Sequence, residues 1–149
     1  MQNMFVDGDR VAIETRLALL RPDAARQWGR MSAAQMLAHC AAALEAPLGE
    51  RRERQSLLGR VMAPFIRSWV FGQAPLRRNT PTDAACVIAD QREFAEEQRR
   101  LLEKVRRFCD SGPSAADQRV HSFFGSLTGQ EWGRFVYKHL DHHLRQFGS

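Results

Sequence analysis

Cysteine is scarce and scattered in this sequence. Cys40, Cys86 and Cys109 stand far apart with no Cys-x-x-Cys pair, so they read as reduced core thiols rather than a disulfide framework. No apolar run is long enough to cross a bilayer. The most apolar stretch, "VMAPFIRSWVFG", is interrupted by Pro64 and Arg67, and no membrane role is expected. The opening "MQNMFVDGDR" lacks a basic region followed by an apolar one, so a cytoplasmic protein is expected. A Gly-rich dinucleotide fingerprint, a P-loop and a Gly-x-Ser-x-Gly elbow are all missing, which removes the commonest nucleotide-binding and hydrolase readings. No paired carboxylates, nucleophilic triad, internal repeat or low-complexity segment stands out.

Acid is in mild deficit. The 149 residues carry a net charge of +5, with nearly all of the positive side chains arginine. A basic balance admits nucleic acid or an anionic ligand. The arginines, however, come as dispersed pairs (Arg51–Arg52, Arg77–Arg78, Arg99–Arg100, Arg106–Arg107), several with acids among them, as in "EFAEEQRRLLEKVRR". Zinc-finger spacing, ribonucleoprotein aromatics and a basic recognition helix are missing. Solvated helix faces explain the charge better, and no nucleic-acid partner is expected.

What is present is helical periodicity. A chain of this length forms one domain, residues 1–149, with a single sizeable core. The first helix is expected from about Asp9 to Leu20, with Val11, Ile13, Leu17 and Leu20 inward and "RPD" stopping it. Ser32 and Gln35 make a capping box for a second, running to Pro47. "RQSLLGRVMAPFIRSWVFG" is expected to be helical in pieces around Pro64, followed by the proline-rich connector "QAPLRRNTPTD". A third long helix is expected from about Asp83 to Cys109, with Val87, Phe94, Leu101, Leu102, Val105 and Phe108 as its stripe. "DSGPSAADQRVHSFFGS" reads as a loop, and Thr128 opens a last helix through "TGQE", ending near Phe147. The fold class is all-α, an antiparallel four-helix bundle with a crossover excursion between helices two and three.

The last helix concentrates imidazoles. "YKHLDHHLRQFG" holds three of the five histidines. On a helical wheel Trp132, Phe135, Val136, Leu140 and Phe147 define the buried face, and His139 and His143 fall within roughly 40° of its centre. They sit one turn apart, while His142 lies roughly 100° away on the flank. Two inward charged imidazoles would repel and be desolvated, and neutral ones still need partners. A divalent ion answers both demands, and an i, i+4 histidine pair is a chelating geometry. A third ligand must come from another helix. His39, alone on the second helix and surrounded by small side chains in "MLAHCAAALEA", is the candidate, with room above it for a ligand.

These residues carry a resemblance. "WGRMSAAQMLAHC" together with "HSFFGSLTGQEWGRFVYKHLDHHLRQFG" resembles the DinB-like superfamily of metal-binding four-helix bundles, in a branch catalogued as a domain of unknown function. The similarity is weakest between Gly49 and Thr80. The resemblance implies metal ligands at His39, His139 and His143. It also implies chemistry of the kind assigned within the superfamily, hydrolysis or transfer and isomerisation involving small thiols.

Around these three, His121 in "HSFFG", His142 and Gln146 are pocket or supporting candidates, Gln146 as a donor to a water on the metal. Glu131 is the capping-box partner of Thr128. Trp28 and Trp132 are expected in the core, Asp141 in a salt bridge to Lys138 or Arg145, and Cys40 away from the ligands. The function expected is a metal-dependent enzyme acting on a small molecule, with a low-molecular-weight thiol as a candidate substrate. Zinc is the first choice of ion and nickel the second, since imidazole suits both. The competing reading is a non-catalytic interaction module with a structural metal. A homodimer is also expected, because "VMAPFIRSWVFG" carries more apolar surface than a bundle of this size needs.

Overall fold

The structure, a computed structural model, describes residues 1–78, 80 and 83–149. Part of the proline-rich connector, at Asn79, Pro81 and Thr82, lies outside the described residues. The chain is mostly helical and of the all-α kind: α1 (Asp7–Leu19), α2 (Ala33–Ala43), α3 (Leu57–Val70), α4 (Phe94–Ser111), the short α5 (Pro113–Ala116) and α6 (Gly129–Gln146). Both capping boxes form. Ser32 and Gln35 close the start of α2, and Thr128 and Glu131 the start of α6, each satisfying two otherwise orphaned N–H groups.

Hydrogen bonds and ion pairs between elements show the direction in which the helices run. From α1, Arg10 reaches Asp110 at 2.6 Å and the Leu17 carbonyl accepts from Gln98 at 2.7 Å, so α1 and α4 are antiparallel. Met4 N–H donates to the Gly133 carbonyl at 3.1 Å and Arg16 pairs with Asp141 at 2.8 Å, so α1 runs alongside α6 in the same sense. Gln35 reaches the Asp90 carbonyl at 3.1 Å and Glu45 meets Arg100 at 3.2 Å, so α2 and α4 are parallel. The core between them holds Ile13, Leu17, Met36, Leu37, Leu101, Val105, Phe108, Trp132, Leu140 and Leu144, all essentially solvent-free. Val11, expected inward, is exposed on α1, because the buried row there is Ile13–Leu17–Leu20.

Two elements differ from expectation in instructive ways. The helix expected from Asp83 starts only at Phe94. Asp83 caps a single 3-10 turn, Ala84–Cys86, by accepting from Ala85 N–H at 2.9 Å, and the chain is then extended at Val87. Val87–Ile88 is a β-branched pair, which disfavours continuing the helix, and Val87 is exposed rather than part of the stripe. The segment from Asp110 to Ser126, read as loop, contains α5 and a minimal antiparallel pair, β1 (Val120–His121) and β2 (Gly125–Ser126), with His121 opposite Gly125.

α3 is one continuous helix despite Pro64. Pro64 lies on the exposed side, as does Arg60, whose carbonyl would have received the missing N–H. The helix is attached along a thin line: Ser56 N–H to the Ser122 carbonyl at 2.8 Å, Arg67 to Glu131 at 2.5 Å, and Lys138 Nζ bonding the Val70 carbonyl at 2.6 Å and the Gly72 carbonyl at 3.1 Å. Gly59 sits against the Phe123 backbone, where any Cβ would collide with the Phe123 carbonyl oxygen. Gly→Ala in a helix interior ordinarily stabilises by about 1 kcal/mol. Here the sign should reverse, and Gly59→Ala should cost about 1–3 kcal/mol by overpacking. A urea melt checks it, and a stabilised variant would show that α3 does not dock at Gly59.

Many of the arginines are tied to carboxylates between elements rather than merely solvated. Arg106 meets Glu14, Arg107 meets Glu50, and Arg51 bonds Glu45 at 2.9 Å and Glu53 at 2.6 Å. Lys104 and Glu97 are buried on α4, which the sequence pattern did not suggest; Lys104 pairs with Glu50, and Glu97 with Arg92 and Arg100. Among the described residues, no helix is long and apolar enough to cross a membrane.

Candidate metal centre

α2 and α6 cross so that three histidines meet. His39, His139 and His143 each offer one ring nitrogen, and these atoms all lie within 4.8 Å of one another. The ring centroids are 5.0 Å apart for His39–His139, 4.7 Å for His39–His143 and 4.7 Å for His139–His143. His139 and His143 share a face because they are one turn apart on α6. His39 faces them from the C-terminal half of α2, a helix whose start the Ser32 capping box fixes.

The hydrogen bonds behind the rings set their tautomers. His39 Nδ1 lies 2.8 Å from the Cys86 carbonyl and His143 Nδ1 lies 2.9 Å from Gln146 Oε1. A carbonyl oxygen only accepts, so both Nδ1 atoms carry the proton and both Nε2 atoms keep a lone pair. The Gln146 amide is itself oriented, its Nε2 donating to the Trp28 carbonyl at 2.8 Å. His139 is half-buried as a residue, yet its Nε2 is shut off from solvent with no hydrogen-bond partner among the described residues. An orphaned buried nitrogen is costly, and a cation beside it removes the cost.

Burial suppresses the charged form of every ring. His39 is held below the ordinary imidazole value of 6.5 by desolvation, against the pull of its bond to the Cys86 carbonyl. His139 falls well below 6.5, first by burial and then by the neighbouring imidazoles. Burial, followed by the proximity of His39, pushes His143 down to about 3. Three neutral imidazoles, two of them backed by neutral carbonyl oxygens, are a donor set that fits a divalent ion and leaves it its full charge.

The other candidates separate cleanly. His142 is half-buried on the flank, its ring 5.6 Å from Trp28 and 5.1 Å from His143, outside the converging three. His121 is in β1, where its Nδ1 accepts from Phe123 N–H at 3.0 Å amid Phe124, Trp132 and Phe135, with Phe135 between it and His139. It organises the hairpin. Gln146 is buried and bonded to His143 and Trp28 rather than free to reach a ligand on the ion. Cys40 is buried against Met36. Trp132 is core, its Nε1 donating to the Arg119 carbonyl at 3.1 Å, but Trp28 is half-buried at the edge of the site with Arg78 over its ring at 4.3 Å. Asp141 pairs with Arg16 and Arg145, not Lys138.

The chain belongs to the DUF1569 family. That family, described as proteins of unknown function, matches over residues 2–149. No curated protein and no solved structure matches the chain.

Two features of this DUF1569 chain were out of reach of a motif search. The Cys86 carbonyl behind His39 depends on the Asp83-capped turn, which interrupts a segment that patterns as helix. The second is how little open space adjoins the rings: Ala38 and Ala41 are fully buried, and the cavity beside His139, lined by Cys40, Ala43, Phe135, Val136 and Leu140, is about 10 Å³. That is about one water. His139, His142 and Trp28 are each partly open to solvent as residues.

Gln146→Ala should weaken metal binding about 10–100-fold while leaving the helices folded. Competition against a chelator of known affinity measures it. Unchanged affinity would show that the bond to His143 plays no part in binding.

Proposed function

We propose that this chain is a metal-dependent enzyme acting on a small molecule, with one divalent ion held by His39, His139 and His143. The fold that carries it is a four-helix bundle of DinB-like type, residues 1–149 forming one domain. In it α1, α4, α2 and α6 close a ring and α3 rides in the crossover between helices two and three. Zinc is the first candidate for the ion and nickel the second, both suited to imidazole. The observation that carries the reading is the orphaned Nε2 of His139, facing two rings whose Nδ1 protons are already given to carbonyls.

The ion would supply Lewis acidity, lowering the pKa of a water or small thiol that it takes up. The chain's own residues provide the rest. The Cys86 and Gln146 carbonyl oxygens hold His39 and His143 in the ligating tautomer without adding negative charge. Phe135, Val136 and Leu140 exclude bulk water on one side of His139. Trp28 and His142 form the open edge that a small substrate would meet. No carboxylate contacts the three rings among the described residues, so no protein base is assigned. Hydrolysis and thiol-dependent transfer or isomerisation remain the two reaction classes, in a cytoplasmic setting and without a nucleic-acid partner.

Calorimetric titration with zinc or nickel should saturate at about one ion per chain. Adding a small thiol to the cobalt- or nickel-loaded protein should then shift its visible absorption, since an open position admits a new ligand. Failure to bind metal would overturn the proposal. The narrow cavity favours one rival, a structural metal in an interaction module, and binding of metal with no response to thiol or to water exchange would select it.

A further inference from the structure

α3 presents its side chains the wrong way round for a surface helix. Small residues face the protein: Gly59 against Phe123, Ala63 at 4% exposure and Val70 at 5%. Large apolar ones face water: Leu57 at 79%, Leu58 at 66%, Val61 at 65% and Phe65 at 77%. An ordinary amphipathic helix does the reverse. Laid on a wheel, Leu57, Leu58, Val61, Met62, Phe65 and Trp69 fall within roughly 70° of one direction, along roughly 18 Å of helix. No charged residue of α3 lies inside that stripe. We propose that this face is the interface of a homodimer, covered by a second copy of the same chain packed about a two-fold axis.

Charge placement selects this occupant. A helix that lies on an anionic lipid surface carries cations on its polar face where they can reach headgroups. The two cations of α3 are on the far side: Arg60 lies roughly 130° and Arg67 roughly 150° from the stripe centre, and Arg67 is paired with Glu131 at 2.5 Å and stacked on Phe71. A second copy needs none of this. The rows Leu57–Val61–Phe65 and Leu58–Met62 are i, i+4 ridges that interdigitate with their own copies. In an antiparallel pairing the helix dipoles oppose favourably, and the exposed Arg52 and Arg54 of the two copies come to opposite ends.

The area agrees. The stripe leaves on the order of 600 Å² of apolar surface per copy, at the top of what a monomer exposes. Pairing would remove on the order of 1,200 Å², the lower end of specific interfaces.

Light scattering behind size-exclusion chromatography should give twice the chain mass, with or without added metal. Phe65→Glu and Leu58→Glu should each weaken association at least about 100-fold and elute as folded monomers of unchanged helical circular dichroism. Val11→Glu, at an exposed apolar site on α1, should remain dimeric. A wild-type monomer at high micromolar concentration would overturn the proposal, as would a Phe65→Glu variant that stays dimeric. Wild-type monomer that sediments with phosphatidylserine vesicles would reassign the face to membrane.

Discussion

Replacing His143 by alanine should empty the metal site, whereas replacing its neighbour His142 should leave it nearly full. The two residues are adjacent, and both i+3 and i+4 lie close to His139 on a helix, so only geometry distinguishes them. His143 is buried, its Nδ1 anchored on Gln146 and its ring 4.7 Å from both other candidates. His142 stands on the flank against Trp28. If a structural zinc site is worth about 10–16 kcal/mol, one of three ligands accounts for about 4 kcal/mol, or roughly a thousand-fold in affinity. Elemental analysis of the two variants after identical purification should therefore give nearly full occupancy for His142→Ala and almost none for His143→Ala. Metal lost with His142 and kept with His143 would place the inward face of α6 one residue out of phase.

The site was legible where chemistry and periodicity coincide on one element. His139 and His143 share a face because α6 is a strongly amphipathic helix whose start is set by one capping box, Thr128 with Glu131, and the phase of Trp132, Val136 and Leu140 then points both rings inward. His39 was reached through the need for a third ligand and then through resemblance rather than through its phase, since α2 is so rich in alanine that its apolar pattern points in no single direction. What supports the ligands was not legible. The partner of His39 is a backbone carbonyl presented by a three-residue turn, and backbone carbonyls leave no residue-type signature. Gln146 drew notice for its position but not for its role, because its hydrogen bonds depend on where the Trp28 loop passes. α3 failed for a related reason: Pro64 argues for a break only when the freed carbonyl is buried, and here that side of the helix faces water.

Acid should unfold the metal-free protein above the range in which its carboxylates titrate. His121 is the cleanest contributor, because it lies outside the three converging rings and burial among Phe124, Trp132 and Phe135 pushes it from 6.5 down to about 4. Above pH 6.5 both folded and unfolded chains hold it neutral, and its contribution is fully present. Below 6.5 the unfolded chain takes up the proton first, so stability falls until the folded pKa near 4 is reached. That difference is about 3 kcal/mol from one residue. His143, held down to about 3, and His39 and His139, shifted the same way, add to it. The sum is a large part of the 5–15 kcal/mol by which a domain of this kind is usually stable. Metal bound to neutral imidazoles competes with the protons, so the loaded protein should unfold at lower pH than the metal-free one. His121→Asn keeps an acceptor for the Phe123 and Phe124 N–H groups but cannot titrate. It should flatten the dependence of stability on pH between 6.5 and 4 by one proton, in the loaded and metal-free forms alike. Chemical melts at stepped pH measure the slope. An unchanged slope in His121→Asn would mean that His121 is protonated in the folded chain, and that the aromatic cage around it is open to water.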